Sequence, residues 1–117
     1  MASKYRNRRK ILRAVVEGIQ VELNFASFGE AARWRDLTLL QQAGEIFNLE
    51  RQVRFPLLCC GVKLGHYVAD FTYCTKAGEY VVEDFKGYRT PMYRWKKKHL
   101  KAQYGYEILE TGPSAVH

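Results

Sequence analysis

Two alternating runs, HYVADFTYC at 66 to 74 and EYVVEDFK at 79 to 86, constrain this chain more than any other feature. Each has the period of two and the β-branched and aromatic content of a half-buried strand. The link between them, holding Lys76, Ala77 and Gly78, is short enough to make them partners in an antiparallel hairpin. A sheet therefore stands at the centre of the fold. Alternation sorts the second run by face, with Val82, Asp84 and Lys86 on one side and Val81, Glu83 and Phe85 on the other. Asp84 and Lys86 project together, and Asp70 of the first run lies one strand away from Asp84. Two accounts of these charges are open. Asp84 and Lys86 are a solvated pair on an exposed strand, or Asp70 and Asp84 flank a cation, because adjacent carboxylates repel unless something positive sits between them.

The remaining segments surround that hairpin with helices. Ser27 followed by Glu30 has the spacing of a capping box. Ala31, Ala32, Trp34, Leu37, Leu39, Leu40 and Ala43 carry an apolar helical face, and Gly44 suits the stop. Residues 46 to 58 are extended in character, with Pro56 suited to an edge or an ending, and residues 59 to 65 read as a loop around Gly61 and Gly65. Thr90 and Pro91 open a second helix that runs through Met92, Trp95, His99 and Gln103 to stop near Gly105. YEILE follows as a last strand. The order α-β-β-β-α-β predicts an α/β (α+β) fold with a central mixed sheet flanked by helices. Residues 1–13 read as a basic arm and 14–117 as one domain, with IQVELNF at 19 to 25 either a short strand or part of the arm.

Charge narrows the partner. The net charge of +7 is clustered, with Arg6, Arg8, Arg9, Lys10 and Arg13 at one end and Arg94, Lys96, Lys97, Lys98 and Lys101 near the other. Such blocks suit a polyanion gripped along its backbone, and Tyr88, Tyr93 and Trp95 among them point to nucleic acid, against the simpler account that they keep a small protein soluble. No apolar run is long enough for a membrane span, and the stretch after the basic N-terminus is broken by Glu17, Gln20 and Glu22, so no secretory signal is read. A cytoplasmic protein is expected. The three cysteines, two of them the adjacent Cys59 and Cys60, make neither a disulfide framework nor a zinc spacing, and are expected reduced in or near the core. His66, His99 and His117 lack metal-ligand spacing, and neither a phosphate-cradling glycine loop nor a nucleophile elbow is present.

VADF at 68 to 71 followed by EDFKG at 83 to 87 resembles the PD-(D/E)xK nuclease signature, with Asp70 as the first acid and Asp84-Phe85-Lys86 as the D-x-K. FASFGEA, AGEIFNLERQ, YVADFTY, VVEDFKG and TPMYRWKKKHL, in that order over roughly residues 24 to 106, resemble a small phage and prophage family of endonuclease-like proteins within that superfamily. The resemblance implies a restriction-endonuclease-like core. It also implies a Mg²⁺-dependent deoxyribonuclease, with Mn²⁺ as a substitute, that hydrolyses phosphodiesters in branched or structured DNA during phage recombination or replication. Asp70 and Asp84 would be catalytic acids and metal ligands, and Phe85 would lend its backbone carbonyl to the metal. Lys86 would orient or deprotonate water, or stabilise transition-state charge. Glu30 matches the first-helix glutamate that completes such sites, while its place in the capping box explains it equally well. Alternation makes Glu83 a structural acid behind the site, and Gln52 is either a site residue or a satisfied strand-edge amide. Lys96 and Lys98, with Lys97, Arg94, Arg8 and Arg9 of the basic blocks, would meet DNA. Ala69 stands where the superfamily usually has proline before the first acid. Relatives of this type often cut as homodimers, and the setting is the cytoplasm of a bacterial host. The alternative function is a non-catalytic nucleic-acid-binding module on the same scaffold, against which Asp70, Asp84 and Lys86 together argue.

Overall fold

The computed structural model of the chain describes residues 10–16, 19–25, 28–85 and 89–112, with described side chains beginning at Phe28. Strands β1 (Lys10–Val16) and β2 (Ile19–Phe25) pair antiparallel as a two-stranded sheet. There follow helix α1 (Phe28–Gln42), strands β3 (Ile46–Cys59), β4 (Val62–Thr75) and β5 (Tyr80–Phe85), helix α2 (Pro91–Tyr104) and strand β6 (Ile108–Thr111). The expected α-β-β-β-α-β order is present, preceded by the extra hairpin, so that the stretch read as an arm is a strand from Lys10 onward. Arg8, Arg9, Lys86 and the Ser27 cap lie outside the described residues.

The second sheet runs β3-β4-β5-β6. Its first three strands are antiparallel and β6 is parallel to β5, a connection that needs a crossover, which α2 provides. Pro56 lies in β3, an edge strand, where a missing N–H is tolerated. Its carbonyl accepts from the Tyr104 hydroxyl at 2.8 Å, which ties α2 to that edge.

Local chemistry accounts for α2. The Thr90 hydroxyl accepts from the Tyr93 N–H at 3.0 Å, Pro91 fills the first turn where a missing donor is harmless, and Gly105 ends the helix at φ 80°. Tyr93, Leu100 and Tyr104, spaced for one helical face, pack on Phe55, Leu57, Tyr67, Ala69, Val82 and Ile108. On the opposite face of the sheet α1 brings Trp34 and Leu37 against Ile46, Phe71 and Tyr73. α1 buries Glu30, Ala31 and Leu37, with Trp34 partly buried beside them, whereas Leu39 and Leu40 fall off that stripe and are exposed, a correction to the broader apolar face expected.

β4 contributes Tyr67 and Ala69 to one core and Phe71 and Tyr73 to the other. A strand of unbroken alternation would put all four on one face. The strand pair turns over between them, at Asp70, facing Gln52 of β3, whose φ of 56° lies in the left-handed region. Such a conformation in a residue other than glycine is a local cost that the surrounding ladder sustains.

Two further readings are corrected. The loop expected over 59 to 65 is a turn at Cys60 and Gly61 only, with β4 already running from Val62. Cys59 and Cys60 are exposed and Cys74 is half-buried, so the thiols do not sit in the core as a group; those at 59 and 60 belong to the β3–β4 turn region. Among the described residues no helix is long and apolar enough to cross a membrane.

Candidate active site

The β4–β5 ladder stops at the Phe71–Glu83 pair. One step further, where strands would continue to exchange backbone hydrogen bonds, carboxylates take their place. The Asp70 N–H donates to Asp84 Oδ1 at 3.2 Å, and the Phe85 N–H donates to Asp70 Oδ2 at 2.9 Å. Each acid is thus fixed to the backbone of the neighbouring strand. Asp84 is only 1% exposed and Asp70 half-buried, which rules out the solvated pair on an open strand.

Crowding two acids out of water has an electrostatic consequence. Burial, then the charge of Asp84 and its hydrogen bond, then the charge of Glu30 push the Asp70 carboxyl up to about 8, although the Phe85 N–H pulls the other way. The Tyr67 hydroxyl donates to Asp84 Oδ2, and burial beside that carboxylate raises the phenol above its ordinary range. Tyr67 fixes the rotamer of Asp84. It is absent from the sequence reading because its partner lies seventeen positions away in the chain.

α1 brings the third acid. Glu30 belongs to the helix stripe that faces the sheet and is 5% exposed. The Gln52 amide reaches both Glu30 Oε2, at 3.5 Å, and Asp70 Oδ1, at 3.4 Å, so the residue with the left-handed backbone bridges the two carboxylates. Gln52 is therefore a site residue by position. Gly29 allows the close approach: a Cβ there would lie 2.4 Å from the Phe85 ring.

Glu83 points to the other face, as alternation requires. It accepts both arms of Arg33, at 2.6 and 2.9 Å, the Tyr73 hydroxyl at 2.8 Å and the Thr111 hydroxyl at 3.1 Å. Its side chain is fully buried, and the network clamps α1 and β6 to β5 directly behind Asp84. Sequence reading assigns Glu83 this side, but its partner Arg33, fifty positions away, carries no local signal.

Among the described residues no group of three His, Cys, Asp or Glu side chains could hold a metal ion as it stands. Asp70 and Asp84 nevertheless fit a hard divalent cation, since Mg²⁺ needs only one or two carboxylates and completes its shell with water and phosphate oxygens. Glu30 would join them if the Gln52 amide gave way. The backbone carbonyl of Phe85 is on the same strand end.

The basic residues of α2 divide between two places. Lys96 borders the groove that holds Tyr67, Thr90 and Tyr93. Arg94, Lys97 and Lys98 line a second cavity, of about 390 Å³, with Arg89, Lys101, Glu107 and Glu110, and Tyr93 stands between the two. There Glu110 accepts from Arg89 at 2.8 Å, from Lys97 at 3.0 Å and from the Tyr93 hydroxyl at 2.6 Å.

No curated protein and no solved structure matches the chain. A family model matches residues 2–111, nearly the whole sequence, and the chain belongs to that family, described as Protein of unknown function (DUF1064).

Proposed function

We propose that this protein is a metal-dependent DNA endonuclease of the PD-(D/E)xK type, acting in the cytoplasm of a bacterial host on branched or structured DNA in phage recombination or replication. The observation that carries the reading is the Asp70–Asp84 pair. Two acids are pressed together at the point where β4 and β5 part, in the D-x-K context of Asp84, Phe85 and Lys86, with Asp70 driven up to about 8 by burial first and by the neighbouring acids second. A charge arrangement this costly at the mouth of a sheet is what a cation site requires.

When bound, Mg²⁺ or Mn²⁺ would polarise the phosphodiester and lower the pKa of water. The chain's own groups hold the geometry. Asp70 and Asp84 are the ligands, the Phe85 N–H and the Tyr67 hydroxyl fix their carboxylates, and Gln52 keeps Glu30 in reach. Lys86 is assigned to orienting the attacking water or to stabilising charge on the phosphorus. The excess of lysine and arginine supplies the grip on the DNA backbone.

The test is cleavage of labelled duplex, single-stranded, flap and four-way-junction DNA with Mg²⁺, Mn²⁺ or EDTA. Metal-dependent cutting is expected, with preference for the branched substrates. Asp70→Asn and Asp84→Asn should each abolish it and leave DNA binding intact or tighter, because each removes a ligand and a charge that repels phosphate. Binding without cutting in every metal would favour the non-catalytic module, and cutting that survives both substitutions would sink the site.

A further inference from the structure

Beside the acids the surface changes character. A groove of about 270 Å³ is lined by His66, Tyr67, Val68, Thr90, Met92, Tyr93 and Lys96. It adjoins a second hollow of about 640 Å³ lined by Leu64, Gly65, Pro91, Met92, Trp95 and Lys96, with Met92 and Lys96 common to both. Tyr67 connects the inner end to Asp84. The outer end is apolar and exposed: Leu64 is 54%, Met92 60% and Trp95 47% accessible. Trp95 is braced, its ring centroid 5.2 Å from that of His99, which is itself tied to the Leu58 carbonyl at 2.8 Å.

Lys96 lines both hollows, and Arg54 stands opposite Val68 of the lining across the β3–β4 ladder. His66 lies in the field of Arg54, Lys96 and Lys63, which together with burial lowers its pKa. An apolar floor with an aromatic ring, Lys96 in its lining, Arg54 on the next strand and a link through Tyr67 to the acid pair is complementary to one kind of polymer. It suits a strand whose backbone is anionic and whose bases are uncovered. Duplex DNA offers the charge but hides the faces of its bases.

Resting on the nuclease reading, we infer that the groove from Tyr67 to Trp95 binds unpaired nucleotides adjacent to the scissile phosphate, with a base stacked on Trp95 and the backbone held by Lys96 and Arg54. The substrate class is then DNA with a single-stranded segment at the cut, such as a flap or an open junction arm.

The test is fluorescence anisotropy of a labelled oligothymidine and of a blunt duplex of equal length, in EDTA, with the full-length protein. Trp95→Ala should weaken binding of the single strand on the order of tenfold, with an unchanged salt slope, because stacking rather than a phosphate contact is lost. Blunt-duplex binding should not change, and Trp95→Phe should restore most of the affinity. Met92→Glu, on the exposed floor, should reproduce the selective loss. An equal loss on both DNAs, or no loss in either variant, overturns the groove. So does sedimentation showing that Trp95→Ala dissolves a dimer while single-strand binding is kept, which would assign the surface to a second copy of the chain. Because no metal is present, the two readings fail separately. A protein that binds single strands through Trp95 and never cuts refutes the nuclease, whereas a nuclease indifferent to Trp95 refutes only the groove.

Discussion

At the scale of single residues, the site depends on positions that mutation can test separately. Glu83 is fully buried and bidentate with Arg33. Arg33→Ala would strand that carboxylate among Tyr73 and Thr111, and should cost about 3–5 kcal/mol, measured by urea unfolding. A loss under about 1 kcal/mol would mean that the pair is a surface contact in effect. Gly29 carries the opposite kind of sensitivity. The methyl of Gly29→Ala would meet Phe85 Cζ at 2.4 Å. The ring must move, and with it the strand end whose N–H holds Asp70. Cleavage should fall by about tenfold or more while stability drops by only about 1–3 kcal/mol. Unchanged cleavage would show that the ring swings aside without disturbing the acid.

At the scale of elements, α2 was legible because everything that defines it is local: Thr90, Pro91 and Gly105 are turn and cap residues whose chemistry does not depend on distant partners. β4 was only half legible. Gly61 and Gly65 suggest a loop over its first four residues, and the turn that replaces it uses Cys60 at φ 53°, a conformation that a cysteine does not advertise. The turnover at Asp70 was hidden for the same reason, since Gln52 bears the positive φ. Asp70, Asp84, Glu30 and Phe85 do meet at one end of the sheet, whereas Tyr67 and Arg33 depend on pairings that only the fold creates. The α2–β6 contact makes a pH prediction. Burial works against the charge of Glu110, but hydrogen bonds from Tyr93, Lys97 and Arg89 prevail and hold it down to about 2. A folded pKa below the ordinary 4.5 means a contribution complete above about 4.5 and lost as pH falls toward about 2. The stability gap between wild type and Glu110→Gln should therefore be widest near neutrality and shrink through that window. A gap that stays constant down to pH 2 would exclude the contribution.

At the scale of the whole molecule, net charge alone does not say where a polyanion lies, because part of the basic excess is committed internally. Lys97 is held by Glu110 and Lys101 by Glu107, at 3.0 and 2.6 Å, while Lys96 borders the groove beside Tyr67. Lys96→Ala should lower the slope of log affinity against log salt by about 0.9, as one phosphate contact is lost, and Lys97→Ala should leave the slope nearly unchanged. The reverse ranking would move the DNA to the Glu110 side of α2. The central proposal, however, is a cation held by Asp70 and Asp84. The most direct measurement is therefore a titration of the protein with Mn²⁺, with free ion followed by electron paramagnetic resonance. Wild type should bind one ion per chain, and Asp70→Asn and Asp84→Asn should each weaken that binding by about tenfold or more, while Glu110→Gln should not. Binding that persists unchanged in both aspartate variants, or no binding in the wild type, would contradict the account.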